Sequence, residues 1–253
     1  MDRAPEYERM LKSMRACFHL IGRSSEGAHV VELDGVMASV APKVPERSLP
    51  NSVIYESQEA LIAALPELAR HYDEEGVAAW TVWTPDDDEQ AAAALRDAGH
   101  ALDADPSAMT LDLAELDEPP AIEHRTGDDL IPTIAGINDQ AYHHDDGPFM
   151  RMLAEHPAGV TSNYVADLDD KPAACLQILP VEGDASVYWV ATLPEARGRG
   201  LAGRLLQRAL WDAREAGCDM SSLQATKLGE PLYARLGYAS HGALQMWEKR
   251  REI

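Results

Sequence analysis

The feature that most limits the possible folds of this chain is a repeat in the order of its elements. Residues 29–42, HVVELDGVMASVAP, are two alternating runs about a polar turn, and residues 163–180, NYVADLDDKPAACLQILP, repeat the pattern. Alternation on both sides of a tight turn predicts a β-hairpin. Each hairpin is followed by a helix-period segment and then a strand, ALIAALPELARHYDEEGVAAWTVWT at 60–84 and LAGRLLQRALWDAREAGCDMSSLQAT at 201–226. Gly76 precedes Gly217 by 141 residues, and Gly99 in AALRDAGH precedes Gly237 in YARLGY by 138. Three collinear blocks favour a duplicated αβ unit over chance recurrence of helix and strand patterns. Between the copies, Pro119 and Pro120 cannot donate backbone hydrogen bonds and bias their neighbours to extended geometry, which predicts a linker and a division into 1–118 and 119–253.

The second copy has the fuller pattern. AIEHRTG (121–127) predicts a strand, and 128–144 a helix whose start Asp128 or Asp129 can cap. A short helix over 149–156 precedes the hairpin, and SVYWVAT (186–192) is the next strand. A long helix from Gly200 to Ala216, a strand at 220–226, a helix over 230–237 and a last strand at 241–249 complete a mixed α+β order.

Charge and cysteine content narrow the function. With 22 basic and 43 acidic residues the chain carries a net charge of −21, which opposes nucleic acid and anionic membrane as partners and leaves a homodimer open. The acidity is concentrated in the first copy, at −15 against −6 in the second. Cys17, Cys175 and Cys218 are odd in number and show no metal-ligand spacing, so neither a disulfide framework nor a metal site is expected. No stretch approaches the ~20 apolar residues that span a bilayer. A soluble protein of the reducing cytoplasm is expected.

The densest chemical signal lies after Thr192. Arg197, Gly198, Arg199 and Gly200 lead directly into a helix that opens with Leu201, Ala202 and Gly203. Such a turn aims several backbone N–H groups at one place, and the helix start adds partial positive charge, which together make a phosphate site. Residues 197–214 hold five arginines against one acid, Asp212, giving +4 inside an acidic protein.

Here the sequence resembles the GNAT superfamily of N-acetyltransferases. The family's acetyl-CoA loop, Gln/Arg-x-x-Gly-x-Gly/Ala, is matched by Arg197, Gly200 and Ala202 between a strand and a long helix. VATLPEARGRG is similar to the family's splayed strand, whose backbone around Val190, Ala191 and Thr192 pairs with the pantetheine arm. LQATKLGEPLYARLGY resembles the closing segment, in which the tyrosine before the Leu-Gly-aromatic turn, here Tyr233, serves as general acid. Thr226 stands where many members have an Asn that contacts the cofactor. The resemblance covers roughly 121–250. It implies two tandem GNAT-like folds, each a mixed, mostly antiparallel sheet flanked by helices, and acetyl-CoA as co-substrate without a metal.

The repeat offsets carry the loop 197–202 onto Glu56–Leu61 and Tyr233 onto Leu95. The first copy thus has no glycine turn, two acids that would repel pyrophosphate, and no proton donor, and it is expected to be degenerate. The general base is less sharply marked. His143, His144 and Asp145, with Asp146 beside them, are the best candidates to draw a proton from an ammonium of pKa near ~10; Glu182 is a weaker one. Trp189 is a candidate for lining a channel. The expected activity is acetyl transfer to a small, cationic primary amine by direct attack. The alternative is an acyl-CoA sensing or partner-binding module of the same fold.

Overall fold

The computed structural model describes residues 4–251. Helix α1 (Pro5–Ile21) opens the fold. Its buried residues Tyr7, Met10, Met14, Cys17, Phe18 and Ile21 recur at three- and four-residue steps, so one face is apolar. This helix is not among the elements expected from the sequence. The hairpin β1 (His29–Leu33) and β2 (Val36–Val40) follows as expected, then β3 (Ser52–Tyr55), α2 (Gln58–Glu74), β4 (Ala79–Pro85), α3 (Glu89–Asp97), β5 (Ala101–Ala104) and β6 (Ser107–Asp112). The remaining chain forms β7 (His124–Thr126), α4 (Ile131–Ala141), α5 (Pro148–Met152), β8 (Ser162–Leu168), β9 (Lys171–Val181) and β10 (Asp184–Thr192). It ends with α6 (Leu201–Glu215), β11 (Met220–Ala225), α7 (Glu230–Arg235) and β12 (Ala239–Arg250).

The expected helix over 128–144 is shorter than its pattern. A single 3₁₀ turn at Asp128–Leu130 precedes α4, and neither Asp128 nor Asp129 caps it. The Asp128 carboxylate instead accepts hydrogen bonds from the Gly159 N–H and the Asn163 amide. These distant partners were not visible in the local sequence.

Among the described residues the strands form one mixed α+β sheet of twelve strands, in the order β1-β2-β3-β4-β12-β6-β11-β10-β9-β8-β7, with β5 also paired to β12. The pairing is antiparallel except at β3–β4 and β10–β11. Those two parallel pairs are joined by α2 and α6, because parallel neighbours need a crossover and a helix supplies it.

Strand pairing crosses the Pro119–Pro120 segment in both directions. Residues 107–112 of β6 pair with β11, while the last strand, β12, is split between two partners. Ala239 and Ser240 pair with Thr110 and Met109 of β6, whereas Leu244–Arg250 pair with β4 from Pro85 to Ala79. Gly242 stands at the change of partner with φ 98°, a conformation that favours glycine. A Cβ there would lie 3.3 Å from an Asp86 carboxylate oxygen, whose partner is the Ala243 N–H.

Apolar cores form on both faces. Val53, Leu61, Leu68 and Trp80 pack under α2 and α3, and Leu176, Leu205, Leu206, Leu223 and Tyr238 pack under α6. A central cluster joins α1 and α5 to strands from both ends of the chain, through Met14, Phe18, Trp83, Phe149, Leu179 and Leu244. At roughly 25 cal/mol per Å² of apolar area, such burial is what holds α1 against the sheet.

Candidate active site

β10 and β11 are paired only at Asp184–Ser186 against Met220–Ser222. Beyond Ser186 they diverge, and a bulge between Tyr188 and Ala191 turns β10 further away. Trp189 sits on the bulge with φ 52°, and its carbonyl accepts from the Asn138 amide at 3.2 Å and the Cys175 thiol at 3.4 Å. The result is a wedge in which the edge of β10 from Val187 to Thr192 has no partner in β11. Such openings at the carboxyl ends of parallel strands are where αβ sheets take ligands. Burial pushes the Cys175 thiol up to about 12, so it is not a ready nucleophile.

The glycine turn lies at the mouth of the wedge. Gly198 and Gly200 have φ 76° and 73°, and a Cβ at either would point into open space, so a ligand can approach the backbone closely. Gly200 is the N-cap of α6, and no side chain caps that helix start. Its first N–H groups have no protein partner among the described residues.

The five arginines divide by their contacts. Arg197 donates to the Thr192 carbonyl at 3.2 Å and the Ala141 carbonyl at 2.9 Å, so it ties the turn to β10 and α4. Arg208 is paired with Asp212. Arg214 donates to the Leu116 carbonyl and lies 4.0 Å from the Trp211 ring centre. Arg199, which is exposed, and Arg204, which is half-buried, have no side-chain partner among the described residues. Leu201 is buried under the helix, and Ala202 and Gly203 continue its first turn. The Thr226 hydroxyl accepts the Gly229 N–H at 3.2 Å, which fixes the turn into α7.

Tyr233 is buried on α7, with its ring edge-on to Tyr238 at 5.8 Å. Burial first, and the nearby Tyr142 phenol second, push its pKa above the ordinary phenol value, so it stays protonated at neutral pH. Tyr142 itself closes α4 beside Arg197 and is half exposed.

The base candidates lie on the segment after α4. His143 and Asp145 are exposed, and His143 has φ 58°. His144 is half-buried within an aromatic group that the sequence reading missed: its ring centre lies 6.3 Å from Tyr142 and 6.1 Å from Phe149, and Phe149 meets Trp189 edge-on at 5.4 Å. The only local signal was the spacing of aromatic residues between 142 and 149. Asp146 is engaged by Arg47 at 3.1 Å and Arg151 at 3.2 Å, which binds this segment to the loop after β2. Glu182 does not reach the wedge. It sits in the β9–β10 turn, at the closed end, and pairs with Lys12.

Residues 161–240 match the family model described as an acetyltransferase (GNAT) domain. A GCN5-related N-acetyltransferase from Kribbella flavida has a similar structure, with 16% identity over 96% of each chain and a TM-score of 0.69. A conserved protein of unknown function from Staphylococcus epidermidis shares 15% identity over 89% of this chain and 95% of its own, at a TM-score of 0.65. A tandem GNAT protein from the clavulanic acid biosynthesis pathway aligns over 98% of this chain and 94% of its own, at 14% identity and a TM-score of 0.57. No curated protein sequence matches. The match identifies a GNAT acetyltransferase domain within residues 161–240, and the chain shares its fold with these GNAT structures.

Proposed function

We propose that the wedge between β10 and β11 binds acetyl-CoA and that the protein transfers the acetyl group to a primary amine. The observation that carries this reading is the coincidence of diverging parallel strands with an uncapped helix start behind Gly198 and Gly200. Acetyl-CoA supplies an activated thioester carbonyl. The residues present fit it: Arg199, Arg204 and the α6 N–H groups offer donors for pyrophosphate, and the unpaired β10 edge offers backbone groups to an extended amide arm. Arg197 acts by holding the turn, and Thr226 by holding the approach to α7.

In the transfer, the amine nitrogen forms a bond to the carbonyl carbon and the carbon–sulfur bond breaks. The Val190–Thr192 backbone is suited to stabilise the oxyanion on the way. Tyr233, kept protonated by burial, donates to the departing sulfur. The amine must first give up a proton, and His143, His144 or Asp145 can take it directly or through water. The same reading takes the chain as two αβ units, 1–118 and 119–253, of which only the second keeps a CoA site. The surface acidity favours a cationic acceptor.

Acetyl-CoA-dependent release of free thiol, measured across a panel of amines, tests the proposal. Amine-dependent release that is lost in Gly200→Glu supports it. CoA binding with no acceptor-dependent release from any amine would overturn it.

A further inference from the structure

The wedge of the second unit has a counterpart in the first. β3 and β4 are paired in parallel only at Ser52–Thr81 and Val53–Val82, and then diverge. Between them lies a cavity of about 580 Å³, lined also by α1 and by Leu244 of β12. That volume is within the range of small-molecule sites, roughly 300–1,000 Å³. Its apolar lining comes from Ile54, Trp83 and Leu244. The Trp83 ring is held in place by its N–H, which donates to the Ser52 hydroxyl at 2.9 Å.

The charge of this cavity is opposite to that of the glycine turn. Glu8, Glu59 and Asp88 line it, and none has a cationic partner among the described residues. Its two cations are themselves paired: Lys12 with Glu182 outside the cavity, and Arg15 with Glu32 outside it and with Glu56 on its wall, which leaves Glu8, Glu59 and Asp88 uncompensated. The entry to α2 is also unlike the entry to α6, since the Ser57 hydroxyl already accepts the Ala60 N–H. A polyanion meets carboxylates and a capped helix here, whereas an ammonium group meets uncompensated negative charge.

We propose that this first wedge binds a small organic amine, with an apolar body against Ile54, Trp83 and Leu244 and its ammonium beside Glu8 and Glu59. It is a second ligand site, separate from the cofactor wedge and independent of whether acetyl transfer occurs. The strand geometry that opens a cleft has been kept while the chemistry at its mouth has changed sign.

Calorimetry on the full chain tests this with phenethylamine as probe. The expected result is binding that persists in Gly200→Glu and in saturating CoA, weakens at high salt, and is not shown by phenylacetate, which has the same body and the opposite charge. Removing two exposed ion pairs, Glu8→Gln/Glu59→Gln should lower the affinity roughly twofold to thirtyfold. Both positions are exposed, and Glu59→Lys alone gives the same readout should the double variant fold poorly. Unchanged affinity in these variants, equal binding of phenylacetate, competition by CoA, or no binding at millimolar probe would overturn the proposal. Thiol release by the same variants reports separately on acetyl transfer.

Discussion

The Ser13 hydroxyl of α1 donates a 2.6 Å hydrogen bond to the Asp184 carboxylate, 171 residues further along the chain. The Ser222 hydroxyl donates to the same oxygen at 2.6 Å, while the other oxygen is buried without a partner. One side chain thus fastens α1, β10 and β11 together at the closed end of the second wedge.

This arrangement predicts a pH-dependent stability. Desolvation outweighs the two hydroxyl bonds and lifts the Asp184 pKa from 3.8 to about 6. A raised carboxylate favours the folded state while protonated, so its contribution is full below about pH 4 and is lost as pH rises through 6. Asp184→Asn keeps one acceptor for both serines and never ionises. Its melting temperature should exceed that of the parent at pH 8 by several degrees, an effect of about 3 kcal/mol at most, with the difference vanishing near pH 4. Thermal denaturation across pH checks this, and a constant difference would show that Asp184 does not titrate.

Gly200→Glu should abolish CoA binding, because the turn needs φ 73° and the new charge would face pyrophosphate. Glu59→Gln, at the matching turn of the first unit, should leave CoA binding unchanged. Calorimetry should give one CoA per chain, and two equivalent sites would contradict the assignment.

Tyr233→Phe should bind CoA with unchanged affinity yet turn over about 10²- to 10⁴-fold more slowly, since the ring still packs against Tyr238 but the donor is gone. Single-turnover rates are the relevant measurement. A variant as fast as the parent in the chemical step would leave Tyr233 a packing residue.

For a cationic acceptor, kcat/KM should fall as ionic strength rises to ~0.15 M and the Debye length shrinks to ~8 Å, with kcat little changed. Steady-state kinetics over a salt series decides this. A preference for glutamate over a diamine would remove the electrostatic argument.

Much of this was legible in the residues themselves. The hairpins at 29–42 and 163–180, the helices before Gly76 and Gly217, and the glycine turn stand where their local patterns placed them. The fate of the arginines was not legible. Five in eighteen residues read as one cationic surface, yet Arg197, Arg208 and Arg214 are taken up by Thr192, Asp212 and Leu116, which leaves Arg199 and Arg204. Only one of those partners, Asp212, is near enough on the same helix face to be inferred from spacing. Glu182 failed as a base candidate for a similar reason, since the hairpin carries it to the end opposite the bulge.

The sequence by itself determined the helices before Gly76 and Gly217, the hairpins and the turn at Gly200, because apolar periodicity and backbone freedom act over a few residues. Only the tertiary structure decided that β12 would divide its pairing between β6 and β4, that α1 would bond Asp184 at one parallel pair and line the cavity at the other, and that both parallel pairs would open into clefts. Those outcomes depend on which edges meet across more than a hundred residues of chain, where pairing and burial are chosen by the whole packed core and leave no local periodicity to read.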